Sequence, residues 1–281
     1  MNPTGILFGL GAALSWGGGD FAAGYATKRV APVVTMAISQ AVGLVIALVV
    51  LVAAGEPSPN GASLAWAMAG GSSGVVCLLA LYRGLATHPM GLFSAIATVV
   101  GVAIPVAIGA IAGDRLRMQD VAGIGLAIVA IVLVTRPAGH MTIDGAGLGL
   151  AVLSGLGAAG FFVSMGQATA AGGTTWWLVV AGRSTSLALA CLVIARQRRI
   201  REAIASVSPL IGFAGAADLA GNAFFLMATA QGALSLAVVV SSQYPAVTAI
   251  LAAALIAQRP GRIQTLGVLV ALLGIVLISV R

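Results

Sequence analysis

The sequence is poor in charge. Of its 281 residues, 7% are charged and 60% are hydrophobic, whereas soluble domains carry roughly 25% charged residues. Too little polar surface remains to cover a water-soluble body of this size, so most of the surface must face lipid. Lysine occurs once, as Lys28, and no Gly-x-x-x-x-Gly-Lys phosphate loop exists. That excludes primary ATP-driven work by this chain alone. The two histidines, His88 and His140, stand too far apart for a zinc-protease helix. Cysteine is limited to Cys77 and Cys191, each inside an apolar run, which marks packing residues rather than a disulfide or metal pair. No metal or other cofactor is expected. The segment Met1 to Gly5 lacks the positive start of a signal peptide, so the first apolar run is expected to be retained as a helix.

What is present is apolar sequence in long runs. A membrane helix needs about 20 mostly apolar residues. Punctuation by charged and Pro/Gly/Asn clusters gives ten such segments, at 4–26, 32–54, 64–86, 91–112, 118–135, 145–168, 174–195, 208–229, 234–257 and 263–280. The breaks are clearest at Gly55-Glu56-Pro57-Ser58-Pro59-Asn60, Gly113-Asp114-Arg115, Arg136-Pro137 and Arg196-Gln197-Arg198-Arg199, and none is long enough for an extramembrane domain. The net charge of +7 is spread singly or in short runs between these segments. That pattern sets membrane topology and does not track a phosphate backbone, so no nucleic-acid partner is expected.

The chain repeats itself. Asp114-Arg115-Leu116 followed by residues Val121 to Val134 registers without a gap on Gln258-Arg259-Pro260 followed by Thr265 to Ile278. Leu14-Ser15 and Leu153-Ser154 also echo each other near the openings of the first and sixth segments. Two five-helix units are expected, 1–139 and 140–281. Because five is odd, the second enters the membrane from the opposite side, and inverted repeats of this kind place a binding site at the midplane between them. The expected fold is therefore an all-α integral membrane protein with ten transmembrane helices in two inverted repeats around a central cavity.

These motifs resemble the EamA repeat of the drug/metabolite transporter superfamily. The repeat's acidic-Arg turn reads Ile111-Ala112-Gly113-Asp114-Arg115-Leu116 in the first half and Ile256-Ala257-Gln258-Arg259-Pro260 in the second, where Gln258 replaces the usual acid. Trp16-Gly17 in the first segment also suits the family. The resemblance implies a secondary carrier of small metabolites rather than an enzyme. It implies export of amino acids, most similar to exporters of the YddG type, with the small molecule and membrane lipid as partners and a monomeric chain.

Counting loops alternately, Lys28, Arg29, Arg83, Arg136, Arg196, Arg198, Arg199, Arg201, Arg259 and Arg262 fall on one face, and Arg115, Arg117 and Arg281 on the other. The positive-inside rule puts the first set in the cytoplasm and both termini outside, in a bacterial inner membrane.

Three ionisable residues fall well within the apolar spans: Asp20, Arg183 and Asp218. Charges there face the bundle interior or a watery cavity, and often pair with each other. Arg183 and Asp218 lie at matching depths of consecutive antiparallel segments. They are either a structural ion pair or a cavity wall in which arginine grips a substrate carboxylate with a forked contact. Asp20 follows Gly17-Gly18-Gly19, a tract that permits either local unwinding or close helix packing. A buried aspartate could also couple transport to protons. Asp218 and Asn222 share one helix face at i, i+4. Ser241-Ser242-Gln243-Tyr244 precedes Pro245, which frees a backbone carbonyl nearby, so this polar cluster is expected at the cavity. Trp16, Gln40, Gln167 and Tyr82 complete the candidates for substrate binding, and Pro105 is expected to kink its helix. Trp66, Trp176 and Trp177, at segment starts, read as interface anchors. His88, in a loop, reads as solvated.

Two other functions compete. Multidrug export would favour an aromatic, acidic cavity, and aromatics are 5% here. Intramembrane aspartyl proteolysis would use Gly17-Gly18-Gly19-Asp20 with Asp218 as the second carboxylate. The order of the two motifs and the helix count speak against it.

Overall fold

Helix starts are set by local capping chemistry. Asn2 Oδ1 accepts from Gly5 N at 2.8 Å and Pro3 follows, opening α1 (Pro3–Ala26). Asn60 Oδ1 accepts from Ser63 N at 2.8 Å and starts α3 (Gly61–Thr87). Asp144 Oδ1 accepts from Gly147 N at 2.7 Å at the head of α6 (Gly145–Ala170). Each cap satisfies an amide that has no partner within its helix. The Gly147 N–H, and after it His88, hold the Asp144 carboxyl below its ordinary range. Prolines with a preset φ open α2 (Pro32–Ala54) and α9 (Pro209–Thr229). Gly55, at φ 60°, closes α2 in the left-handed conformation that glycine adopts freely.

The remaining helices are α4 (Met90–Ile111), α5 (Met118–Val134), α7 (Thr175–Arg196), the short α8 (Ile200–Ala205), α10 (Leu234–Ser241) and α11 (Tyr244–Ile256). This computed structural model describes residues 2–88, 90–111, 118–134, 144–232, 234–256, 261–263, 266, 267, 269, 270 and 273. The expected last segment, 263–280, lies mostly outside those residues. So do the Asp114-Arg115 and Gln258-Arg259-Pro260 turns, Arg136-Pro137, His140 and the boundary at 139/140.

Among the described residues, six helical stretches are long and apolar enough to cross a membrane: α2, α3, α6, α7, α9 and the α10–α11 run from Leu234 to Ile256. Shorter apolar stretches lie within α4 and α5. The expected ninth span is broken at Ser242-Gln243, just ahead of Pro245, where the chain turns between α10 and α11. Pro105 sits inside α4, which remains a single helix. The long α1 is diluted by its glycines, Trp16 and Asp20, and most of it is covered by other helices. Its lipid-facing stripe is marked by Leu7 and Leu14, two turns apart.

Packing partners exchange when the halves are swapped. α1 packs on α9, α10 and α11, and α6 packs on α3 and α4. α2 and α7 pack on each other, while α2 also meets α9 and α7 also meets α3. This is the contact map of two five-helix units related by a pseudo-two-fold axis, with α1–α5 in one unit and α6–α11 in the other. The α2–α7 crossing lies on that axis. Gln40 and Arg183 are each the ninth residue of their helix, so the two are equivalent positions. The caps at Asn2 and Asp144 set the register between α1 and α6: Asp20 and Phe162 are each the eighteenth residue. Leu14-Ser15 and Leu153-Ser154 fall three positions out of that register, so their echo is not the structural repeat.

The glycine tract of α1 is continuous helix. Gly17 lies against Val247 and the Tyr244 carbonyl of α11, and Gly19 lies against Ala214 and Ala217 of α9. Thr248 Oγ1 donates to the Gly17 carbonyl at 3.0 Å. Of the two readings of Gly17-Gly18-Gly19, close packing is realised and unwinding is not.

Candidate functional site

A central cavity with an empty volume of about 760 Å³, mouth included, lies between the two halves. Its walls come from α1, α2 and α3 on one side and α6, α7, α9 and α11 on the other. Trp16, Asp20, Gln40, Arg183, Asp218, Asn222 and Tyr244 all line it. Tyr82, Ser241, Ser242 and Gln243 are buried but do not line it. Gln243 donates to the Val239 carbonyl one turn back, at 3.1 Å, and Ser241 faces Gly9 of α1. The polar run before Pro245 is thus absorbed by helix packing, with Tyr244 alone reaching the cavity. Gln167 is exposed on α6.

Arg183 organises the polar wall. It is 2% exposed and Asp218 is 9% exposed. Arg183 Nη2 donates to Asp218 Oδ2 at 2.6 Å, and Nη1 donates to Gln40 Oε1 at 2.9 Å. Nε is buried and makes no hydrogen bond. The guanidinium fits because position 43 is glycine: a Cβ there would occupy its space. Ser186, one turn along α7, donates to the Gly71 carbonyl at 2.8 Å and ties α7 to α3. The ion pair and the cavity wall, alternatives in the sequence, are both present: the pair forms, and both members line the cavity.

Asp20 is 7% exposed. Among the described residues its carboxylate has no hydrogen bond or ion-pair partner. The formal balance of the wall is two carboxylates against one guanidinium. Asp218 is engaged by Arg183, whereas the dyad of aspartyl proteolysis is two carboxylates sharing one proton.

Beside these charges, one turn away on α1, the lining is aromatic. Trp16 lies at the centre of Phe161, Phe162, Phe225 and Tyr244, with ring centroids 5.8 to 6.4 Å away. Phe162 and Phe225 are 5.1 Å apart. Trp16 Nε1 donates to Asn222 Oδ1 at 3.0 Å, and the indole lies over Gly221, where a Cβ would collide with it. Tyr244 accepts from Thr98 Oγ1 at 2.8 Å. Aromatic residues are few, but they are gathered here, so the whole-chain figure does not describe this cavity. Sequence reasoning missed Phe161, Phe162, Met165 and Cys77, all of which line it. The signal that finds Phe162 is the cap-to-cap register: Phe162 and Ala158 stand where Asp20 and Trp16 stand in the first half.

Outside the spans, Trp176 and Trp177 begin α7 and are half-buried against Glu56. His88, expected to be solvated, has Nε2 3.2 Å from Asp144 Oδ1 and stacks on Phe93.

The sequence profile of the EamA-like transporter family matches residues 3–136 and again residues 145–280. A solved structure, described only as the crystal structure of a protein, superposes with a TM-score of 0.76 at 19% identity, covering 99% of this chain and 98% of its own. That likeness concerns the fold. No curated protein sequence matches.

Proposed function

The chain belongs to the EamA-like transporter family of the drug/metabolite transporter superfamily, a family of transporters rather than enzymes, and on that premise we propose that it exports amino acids of apolar or aromatic side chain. Each family match covers one five-helix unit, and the cavity sits between the units, where inverted repeats bind their substrates. The observation that supports the reading is that Asp20, Arg183 and Asp218 line one cavity together with the Trp16 aromatic cluster. Asp20, free of a cation, meets the substrate ammonium. Arg183 takes the carboxylate in place of Gln40 or Asp218. The Trp16 cluster receives the side chain. Transport proceeds by alternating access of the halves 1–139 and 140–281, as in a YddG-type exporter acting as a monomer.

Counterflow in proteoliposomes tests this. Vesicles preloaded with unlabelled phenylalanine or leucine are expected to accumulate the labelled amino acid transiently, with saturation and mutual competition. Repeating the assay with a pH gradient separates proton coupling from facilitated exchange. Absence of counterflow for every amino acid in a panel would overturn the reading. A second reading is favoured by one observation, the unpaired Asp20 in a cavity lined by four aromatic rings, which also suits an organic cation held over ring faces. Counterflow confined to such cations would identify a multidrug exporter of the same superfamily.

The excess of arginine around Arg196–Arg201 supports a cytoplasmic location for that face, with the termini outside a bacterial inner membrane. A reporter enzyme active only in the cytoplasm, fused to the C-terminus, is expected to stay silent, and strong activity would invert this topology.

A further inference from the structure

Two glutamates outside the spans lie in corresponding loops at opposite ends of the molecule. Glu56, in the α2–α3 loop, accepts from the backbone N–H groups of Trp176 at 2.9 Å and Trp177 at 3.3 Å through Oε2. Its own carbonyl accepts from Trp177 Nε1 at 3.2 Å. Those amides form the first turn of α7, whose own N-cap residue Thr174 makes no side-chain cap. Glu202, in α8 between α7 and α9, accepts from Ala31 N at 3.0 Å. Ala31 is the N-cap residue of α2 and likewise makes no side-chain cap. Arg199 Nη1 donates to the second oxygen of Glu202 at 2.6 Å and steadies it. The Ala31 N–H, then Arg199, hold the Glu202 carboxyl below its ordinary range.

Each of these helix starts is therefore capped by a carboxylate from the other half, where the helix dipole favours negative charge. α2 and α7 are the same helix of the two repeats, and the two glutamates lie in the same loop of the two repeats, so the contacts are counterparts in the fold although they differ by two or three residues in register. Consecutive spans alternate in direction. α2 thus starts at the face where α7 ends, and α7 starts at the face where α2 ends, which leaves one contact on each face. A second pair repeats the pattern. Asn2, capping α1, donates from Nδ2 to Gln231 Oε1 at 2.9 Å, and Asp144, capping α6, meets His88 at 3.2 Å. Every one of these contacts bridges the halves.

We infer that Glu56 and Glu202 are the two gate latches of the carrier, one per membrane face, each of which holds its own face toward the closed arrangement and releases its helix start when the cavity opens fully on that side. The inference rests on the transport reading only in that the halves must rock about the cavity. Alternating access moves one half against the other, so a contact that bridges the halves at one face breaks when that face opens and persists when the other does. Losing one latch biases the molecule toward opening on the latch's own face.

Native Cys77, which lines the cavity, reports this without any substrate. In a Cys191→Ser background, its labelling by a membrane-impermeant maleimide is measured separately from each face in right-side-out and inside-out vesicles. Glu56→Ala is expected to raise labelling from the Glu56 face by about fivefold, the population shift that follows loss of one capping contact, and to lower it from the other face. Glu202→Ala should do the reverse. No change, or a change of the same sign at both faces, overturns the latch. Ala158→Cys in a Cys77→Ser background is the second reporter, and Glu56→Asp and Glu202→Asp, too short to reach the same amides, replace any alanine variant that does not fold. Opposed labelling shifts with no amino-acid counterflow would sink the substrate assignment and leave the latches standing. Counterflow without opposed shifts would do the opposite.

Discussion

Arg183→Ala is expected to destabilise the folded protein by about 3–5 kcal/mol, because removing one partner of a buried ion pair leaves the other uncompensated. The partner is Asp218, 2.6 Å away, and Gln40 loses its donor at the same time. The variant also leaves a void beside Gly43, which lies against the guanidinium. Thermal unfolding in detergent should show the loss directly. Arg183→Met with Asp218→Leu removes both charges while keeping the volume, and replacing a buried pair by apolar groups of similar volume is often close to neutral. The double variant is therefore expected to recover most of the lost stability. Transport separates the two roles of the pair. If Arg183 receives the substrate carboxylate, the double variant folds and expresses but shows no amino-acid counterflow. If it recovers counterflow together with stability, the pair serves the fold alone and Arg183 leaves the binding site.

Much of the fold could be read from the sequence because its boundaries are chemical. The expected segment 32–54 coincides with α2, which Pro32 opens and Gly55 closes. The third span begins earlier than expected, at Gly61, because Asn60 caps it even though the next residues are only weakly apolar. The short α8 was illegible: it is a six-residue surface helix, with Ile200 and Ile204 exposed, and forms no apolar run. The charged part of the site was legible for a physical reason. An ion within a lipid-crossing helix has few tolerable positions, so the inward placement of Asp20, Arg183 and Asp218 follows from their place in the chain. The aromatic wall was not legible, since a phenylalanine facing a cavity and one facing lipid occupy the same kind of apolar sequence. Ser241, Ser242 and Gln243 misled in the converse way. A polar side chain buried between helices looks, in sequence, like one that faces a substrate.

Gly71→Ala is expected to be among the most damaging single-methyl additions to the chain. A Cβ on Gly71 would enter the space of the Gly182 carbonyl, where α3 of one half crosses α7 of the other. Overpacking a close contact costs about 1–3 kcal/mol, and the upper end applies where the obstacle is backbone and no side chain can rotate away. Within a membrane the effect is sharper in kind, since helices associate through close packing and not through expulsion of water. The pseudo-symmetric crossing makes the same demand: a Cβ on Gly215 of α9 would meet the backbone of Ser39 on α2. Gly182 and Ser39 immediately precede Arg183 and Gln40, the two residues that meet on the axis. Forcing either crossing apart therefore shifts the guanidinium as well as the helices, and transport should fall together with stability. Gly74 is the control. It lies on α3 less than one turn beyond Gly71 and lines the cavity, and the nearest atom to a Cβ there is a Phe161 ring carbon at 3.9 Å. Gly74→Ala should leave unfolding close to that of the unaltered protein. Equal unfolding temperatures for Gly71→Ala and Gly74→Ala would mean that the α3–α7 crossing has room to spare, and the tight axial contact beneath Arg183 would have to be abandoned.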